Sequence, residues 1–421
     1  MRSDRYYKEE PAVVKKKKRG PLRGLLILIL ILAAAIAGTT AYFYKSAYDS
    51  LSVTFTEDSP VLEFGESYSA MSFVKDSDGD IYPEYDYLIT DEPGSREIVY
   101  TAEKSLLGGL LVPAKEFTLK YNVTDSIPPL KIWSWDNAVL ERGSEFDING
   151  LISYGDNADP TPLLTVDGNV NMEKNGEYPL HIAVTDSSGN TTEWDMKVTV
   201  TDEIPVYDDS SELTDFADFV SEYKGKDQSF GIDVSAWQDD IDFKAVKKAG
   251  CEFVIIRIGY TYEGSINVDK TFYDNIRHAE DAGLKIGVYF YSTDNTEEEV
   301  RSSADWIIEN LGGRNLDFPV AFDWEDFDSF QTHGISLFEL NKLYDAFADE
   351  LSQAGYGCML YGSRNRLDTI WKNTDMHPVW LAHYTEKTDY EGPYMLWQAS
   401  CTGKLPGIDG AVDMDILYQN N

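Results

Sequence analysis

From Gly24 to Tyr44 the chain runs without a single charged side chain. Leu25-Leu26-Ile27-Leu28-Ile29-Leu30-Ile31-Leu32 leads into an alanine-rich half, and Tyr42, Phe43 and Tyr44 close it. An apolar run of this length crosses the hydrocarbon core of a bilayer as one helix, with aromatics at the far interface. Lys15-Lys16-Lys17-Lys18-Arg19 and Arg23 precede it, and such a basic cluster is held on the cytoplasmic side. The pattern predicts a cytoplasmic basic tail over 1–23, a transmembrane helix over 24–44, and an extracellular remainder, as on a Gram-positive-type cell surface. Ala35-Ile36-Ala37 would also serve as a signal-peptide cleavage site. The apolar run is long for that role, which favours a single-pass, uncleaved anchor.

Beyond the anchor the period changes to two. Alternating stretches such as Glu116-Phe117-Thr118-Leu119-Lys120-Tyr121-Asn122-Val123 are broken by turn clusters such as Asp76-Ser77-Asp78-Gly79-Asp80, the mark of half-buried strands. The stretch Glu116 to Asp125 recurs as Glu193 to Asp202, and both copies run on into Ile-Pro. A period of roughly 80 residues with a final strand and a proline exit predicts two tandem all-β sandwiches, over 50–126 and 127–204. Neither gathers reactive side chains, so both read as spacers that hold the next domain off the membrane. Residues 205–227 are acidic and poor in apolar residues, and read as a linker.

From Ser229 the pattern alternates strand with helix. Strand-like runs fall at 230–234, 253–258, 285–291, 318–322, 358–361, 378–382, 394–398 and 412–417. Between them Thr296 with Glu299, and Ser336 with Glu339, form capping boxes, Asp269 is a candidate cap, and Gly283, Gly312 and Gly355 are stops. Eight strands alternating with helices predict an α/β barrel of the (β/α)8 kind, the TIM barrel, over 228–421, with its reactive groups at the C-terminal strand ends.

Charge narrows the partners. The net charge is -37, and the first 24 residues are basic, so the rest is more acidic still. Such a surface excludes nucleic acid and is repelled by anionic polymers, which leaves a neutral ligand. Three cysteines (Cys251, Cys358 and Cys401) are too few for a disulfide framework, although one bridge stays open. Five histidines show no metal-ligand spacing, and no cofactor motif is present, so no metal and no cofactor are expected.

Acids and aromatics do collect at the predicted strand ends. The fourth strand ends in Asp323-Trp324-Glu325, whose two acids share one face while Trp324 takes the other. Paired carboxylates at a strand end raise one another's pKa, and splitting one acid from one ionised group is what glycoside cleavage requires. Asp233 and Asp413 end other strands, and Trp237, Tyr289, Tyr291, Trp380, Tyr384 and Trp397 stand among the acids. Together they describe a cleft for a neutral, polyhydroxylated ring. Burial of Glu325 in the drier pocket, with Asp323 left ionised, is the division of roles expected.

Five pieces in fixed order, Asp233-Val234-Ser235-x-Trp237-Gln238, Asp323-Trp324-Glu325, Trp380-Leu381-Ala382-x-Tyr384, Trp397-Gln398 and Gly410-Ala411-Val412-Asp413, resemble glycoside hydrolase family 25. The two β repeats resemble the small immunoglobulin-like repeats of bacterial surface proteins. The first resemblance implies a lysozyme (N-acetylmuramidase) that hydrolyses the β-1,4 bond between N-acetylmuramic acid and N-acetylglucosamine in peptidoglycan glycan strands. It implies Glu325 as the general acid. Asp323 would stabilise the positive intermediate or orient the substrate's acetamido group, and Asp233 and Asp413 would line the cleft. One departure is Asp415, where the family more often has Asn. A glycan-binding protein without turnover, and a chitinase-like hydrolase, are the rival readings. The intact acid pair opposes the first, and the absence of a longer acid series on the fourth strand opposes the second.

Overall fold

The computed structural model describes residues 21–205, 212–372 and 374–418, and the chain divides into two units between Thr124 and Asp125. In the first unit a helix runs over Pro21–Ser50. Its segment from Leu25 to Leu32 leaves every side chain more than half exposed. Among the described residues it is the one helix long and apolar enough to cross a membrane. It starts before and ends after the predicted span. Pro21 needs no amide partner in a first turn, and Lys45 pairs with Asp49 at 2.9 Å one turn on, which carries the helix past its apolar part. The predicted tail lies outside the described residues up to residue 20.

The first unit continues as a four-stranded sheet in the order Val61–Glu63, Ala114–Thr124, Gly94–Glu103, Asp80–Pro83, beside a pair made by Val53–Phe55 and Val74–Ser77. The second unit opens with the same plan. Leu163–Asp167, Gly176–Thr185, Thr191–Thr201 and Asn137–Glu141 form four strands, and Leu130–Ser134 pairs with Ile152–Gly155. In both repeats the last long strand pairs in parallel with a short early one. Alternate residues of these strands, Ile98 and Tyr100 in one repeat and Ile182 and Val184 in the other, are buried as the period of two requires.

The segment read as a linker is structured where it is described. Thr214–Asp215 adds a strand to the following domain, and the helix Phe216–Tyr223 buries Phe216 and Phe219. Two aromatics three residues apart on one helical face suffice to dock it, despite its acidic composition. Residues 206–211 of that reading lie outside the described residues.

The remaining domain closes a ring of eight strands: β1 (Gln228–Val234), β2 (Phe253–Tyr262), β3 (Lys285–Ser292), β4 (Val320–Trp324), β5 (Cys358–Ser363), β6 (Val379–Ala382), β7 (Leu396–Lys404) and β8 (Val412–Tyr418). Each pairs with the next, and β8 returns to β1. The first seven run parallel, but β8 is antiparallel to both neighbours. The helices are α1 (Phe243–Lys248), α2 (Phe272–Ala282), α3 (Glu297–Leu311), α4 (Leu337–Gln353) and α5 (Arg364–Thr369). Among the described residues none stands between β6 and β7 or between β7 and β8. The domain is therefore a closed eight-stranded β-barrel and not the (β/α)8 TIM barrel that the alternation predicts. An antiparallel return needs only a hairpin, and runs of apolar residues carry no sign of strand direction. Inward residues such as Phe253, Ile255, Ala321, Met359 and Trp380 fill the barrel, and outward ones such as Val254, Ile256 and Phe322 pack under the helices. No disulfide joins the three cysteines, and Cys401 is exposed.

The second repeat does more than space the barrel. It grips the loop that follows β4. Trp133 donates its indole N–H to the Asp328 carbonyl (3.2 Å), the Phe330 amide donates to Ser153 Oγ (3.2 Å), and Gln331 Nε2 donates to the Ile152 carbonyl (3.2 Å). Phe330 is fully buried against Trp324 and Phe327. A Cβ at Gly155 would stand 2.6 Å from the Phe330 ring, so that strand can approach only without a side chain. Gly155→Ala should cost about 1–3 kcal/mol through forced repacking. The fall should be read by thermal unfolding beside Gly150→Ala, whose Cβ meets nothing within 4 Å. Equal melting temperatures for the two variants would contradict this packing.

Candidate active site

The mouth of the barrel at the C-terminal ends of its strands collects carboxyls because inward positions alternate along each strand. Asp233 ends β1 and faces Asp413 of β8 across an antiparallel pair. Asp323 ends β4, and Glu325 follows it on the same side. Outward-facing Trp324 is fully buried and donates its indole N–H to the Asp294 carbonyl at 3.0 Å. Phe327, Phe330 and His333 pack their rings on it at 4.9, 5.8 and 5.2 Å. The outward tryptophan thus fixes the backbone from which both acids project.

Gln398 of β7 is the hub of the floor. Its Nε2 donates to Asp233 Oδ2 at 2.8 Å, while its Oε1 accepts from the Tyr361 and Tyr384 hydroxyls at 2.9 and 2.8 Å. Trp380 donates its indole N–H to Asp415 Oδ1 at 2.8 Å. Arg257 pairs with Asp269 at 2.8 Å, and Asp269 also accepts from the Ala236 amide, tying β2 to the turn that carries Trp237.

The electrostatics follow from burial. Asp323 is buried, its Oδ1 accepts no hydrogen bond, and burial together with the Glu325 charge holds its carboxyl well above the usual range, with Arg257 opposing. Glu325 rises into the cleft, open to solvent yet walled by protein. Loss of bulk water around it pushes it up to about 7, against the Arg366 charge and with those of Asp413 and Asp328. The expected arrangement is thus inverted in depth, because the barrel interior takes the residue nearer the strand. Asp323 occupies the drier position, and Glu325 is the acid that a substrate can reach. Burial likewise raises Asp413 to about 6 and Asp415 to about 8. Asp233 is raised by burial and by the Asp413 and Asp415 charges. A protonated Asp415 presents a donor and an acceptor as an asparagine would, which accounts for an acid at that position.

The aromatic candidates divide. Trp237 is 83% exposed at the rim and Tyr384 is 54% exposed, while Tyr289 and Tyr291 are half-buried along β3. Trp380 and Trp397 are corrections to the sequence reading, since neither offers a face to a ligand. Trp380 is 1% exposed within the barrel. Trp397 points outward, donates to the His383 carbonyl and packs edge-on against Tyr223. Its neighbour Gln398 is the inward residue of that pair, by the same alternation. Sequence reasoning passed over the roles of Gln398, Tyr361 and Arg366. The period of two along β7 carried the signal for Gln398, but nothing local marks Arg366. Its guanidinium reaches the barrel mouth from α5, lies 4.8 Å over the Phe327 ring and donates to the Ile132 carbonyl at 3.1 Å.

Residues 232–408 match the family model of glycosyl hydrolases family 25, and residues 131–200 match that of the bacterial surface protein Ig-like domain. The chain is 33% identical over 187 residues to the autolytic lysozyme of Clostridium acetobutylicum, covering 44% of this chain and 54% of that one. It is 29% identical over 196 residues to lysozyme M1 of Streptomyces globisporus, covering 44% and 65%. The matched part thus spans between half and two thirds of these curated relatives. A solved bacterial lysozyme from Streptomyces coelicolor is 25% identical, with 47% of this chain and 94% of that chain covered and a TM-score of 0.41.

The raised carboxyls set a direction for pH. A group whose folded pKa exceeds its unfolded value adds stability that is complete below the unfolded value and is lost as pH rises through the folded one. For Asp415 that loss ends near 8. Asp415→Asn removes it while keeping an oxygen for the Trp380 indole. The variant should melt several degrees above the parent at pH 8–9 and within a degree or so of it at pH 4. Parallel melting curves across that range would refute the assignment.

Proposed function

We propose that this chain, whose residues 232–408 form a glycosyl hydrolases family 25 domain, is a membrane-anchored muramidase. It cleaves the β-1,4 bond between N-acetylmuramic acid and N-acetylglucosamine in peptidoglycan during wall remodelling. The observation that carries this reading is the stacked pair at the end of β4, with a solvent-facing Glu325 raised to about 7 above a buried Asp323. A carboxyl with that pKa is still substantially protonated near neutrality and can deliver its proton to a glycosidic oxygen in the open cleft. Asp323, with an unpartnered oxygen in a dry floor, is suited to the N–H of an acetamido group, and to a developing positive centre at the sugar in the state where Glu325 holds the pair's proton and Asp323 is ionised. Asp233 and Asp413 line the opposite wall, and Gln398 holds Asp233 in position. Trp237, Tyr384, Tyr289 and Tyr291 offer faces for sugar rings.

The helix Pro21–Ser50 supports attachment to the cytoplasmic membrane, with the N-terminus inside and the barrel on the wall side. Two β repeats after the anchor favour local trimming of the cell's own wall over release into the medium.

The test is digestion of purified peptidoglycan, with the released fragments reduced by borohydride and weighed by mass spectrometry. New reducing ends on N-acetylmuramic acid are expected from the parent. Glu325→Gln should lower turnover by at least about a hundredfold while glycan binding is retained. Binding without new ends in the parent would leave a glycan-binding protein instead. A second expectation comes from the pKa of the acid: kcat/KM should fall as pH rises through about 7.

A further inference from the structure

A second group of acids is formed by the second repeat and the residue leading into it, outside the barrel and independent of the muramidase reading. Asp125, Asp156 and Asp186 are 8, 1 and 5% exposed. One carboxylate oxygen of each lies within 4.8 Å of the others. The residues are far apart in sequence, so no spacing motif reveals them. The turns around them make the convergence deliberate. Asp156 Oδ1 accepts from the Ala158 and Asp159 amides at 2.9 and 2.7 Å. Asp186 is held by the Asn190 amide and side chain, both at 2.8 Å. Asp125 Oδ1 accepts from Asn157 Nδ2 at 3.2 Å.

What those bonds leave over is informative. The Oδ2 atoms of Asp125 and Asp156, and Oδ1 of Asn157, are buried and accept no hydrogen bond. Buried anionic oxygens without a donor are costly and call for a counter-charge. The charges acting on Asp156 are those of Asp125 and Asp186, which have the same sign and cannot supply it.

We propose that Asp125, Asp156 and Asp186, with the Asn157 side-chain oxygen, hold one calcium ion. The donors are all oxygen, which favours a hard cation over zinc or copper. Calcium–oxygen bonds of about 2.3–2.6 Å put opposite ligands roughly 4.6–5.2 Å apart, whereas magnesium needs about 4.0–4.2 Å in strict octahedral geometry. Oxygens that all lie within 4.8 Å of one another can share one ion, and an irregular mix of carboxylate and amide oxygens fits calcium's flexible coordination better than magnesium's strict octahedron.

The position gives the ion a consequence. The Asp156 carbonyl accepts from the Leu337 amide at 2.8 Å and the Asn157 carbonyl from the Phe338 amide, so this turn meets the first turn of α4. The ion therefore stiffens the joint between the repeat and the barrel, on the same side that grips the loop after β4.

The experiment uses the full chain in detergent, stripped with chelator, then titrated with CaCl2 or MgCl2 and followed by calorimetry and thermal unfolding. One saturable calcium site per chain is expected, with a Kd of about 10⁻³ M or tighter, a melting temperature raised by several degrees, and at least tenfold weaker magnesium binding. The site should persist in 0.5 M NaCl, which screens diffuse attraction to an acidic surface. Asp156→Asn should abolish it, and its melting temperature without calcium should equal or exceed that of the stripped parent. Absence of saturable heat and of a melting shift in the parent up to 10 mM calcium would overturn the proposal. Retention of the site in a folded Asp156→Asn would do the same. Should that variant fail to fold, Asp186→Asn and the parent titration at high salt decide the matter by the same outcomes.

Discussion

Carboxyl groups crowded at the mouth of a barrel must give up their charge or find partners, and most of this domain's organisation follows from that constraint. Asp233, Asp323 and Asp415 are almost wholly buried, and the neighbouring carboxyls of Asp413 and Glu325 are raised with them. Gln398 and Trp380 meet them as neutral donors, which fixes their geometry without neutralising them. Protons do the rest. A set of acids whose ionisation is shared and delayed in this way holds a transferable proton near neutral pH, which an isolated surface carboxyl does not.

The cations near this set are placed to moderate it. Arg257 opposes the rise in Asp323 while paired with Asp269, and Arg366 opposes the rise in Glu325. Arg366 is positioned from two sides, by the Phe327 ring of the loop after β4 and by the Ile132 carbonyl of the second repeat. That repeat also grips the loop through Trp133, Ser153 and the backbone at Ile152. A domain that looks like a spacer in the sequence is thus part of the support for the acid pair.

The local signals were legible where they depend on neighbours in the chain. The capping boxes Thr296/Glu299 and Ser336/Glu339 form at the helix starts, because both partners lie within one turn. Asp269 behaves otherwise. Its Oδ1 accepts from the amide and hydroxyl of Thr271 at the helix start, while its Oδ2 reaches back to the Ala236 amide and Arg257, so one carboxylate serves both the helix and the barrel mouth. The acids of the mouth were legible from strand parity alone. Parity also separates Trp397, which faces outward, from Gln398, which faces the cleft, although the aromatic was the more conspicuous residue.

By itself the sequence determined the apolar helix, the duplicated β repeats, the eight strands of the barrel and the gathering of Asp233, Asp323, Glu325 and Asp413 at their ends. These rest on periodicity and short-range pairing, which the chain carries locally. Only the tertiary structure decided that β8 runs antiparallel, so that the ring closes as a β-barrel with five helices between its strands among the described residues. It alone decided that Asp323 lies deeper than Glu325, that Arg366 stands over the loop, and that Asp125, Asp156 and Asp186 converge. Strand direction, depth and convergence depend on residues far apart in sequence, and no local pattern of polar and apolar positions encodes which distant groups a fold will bring together.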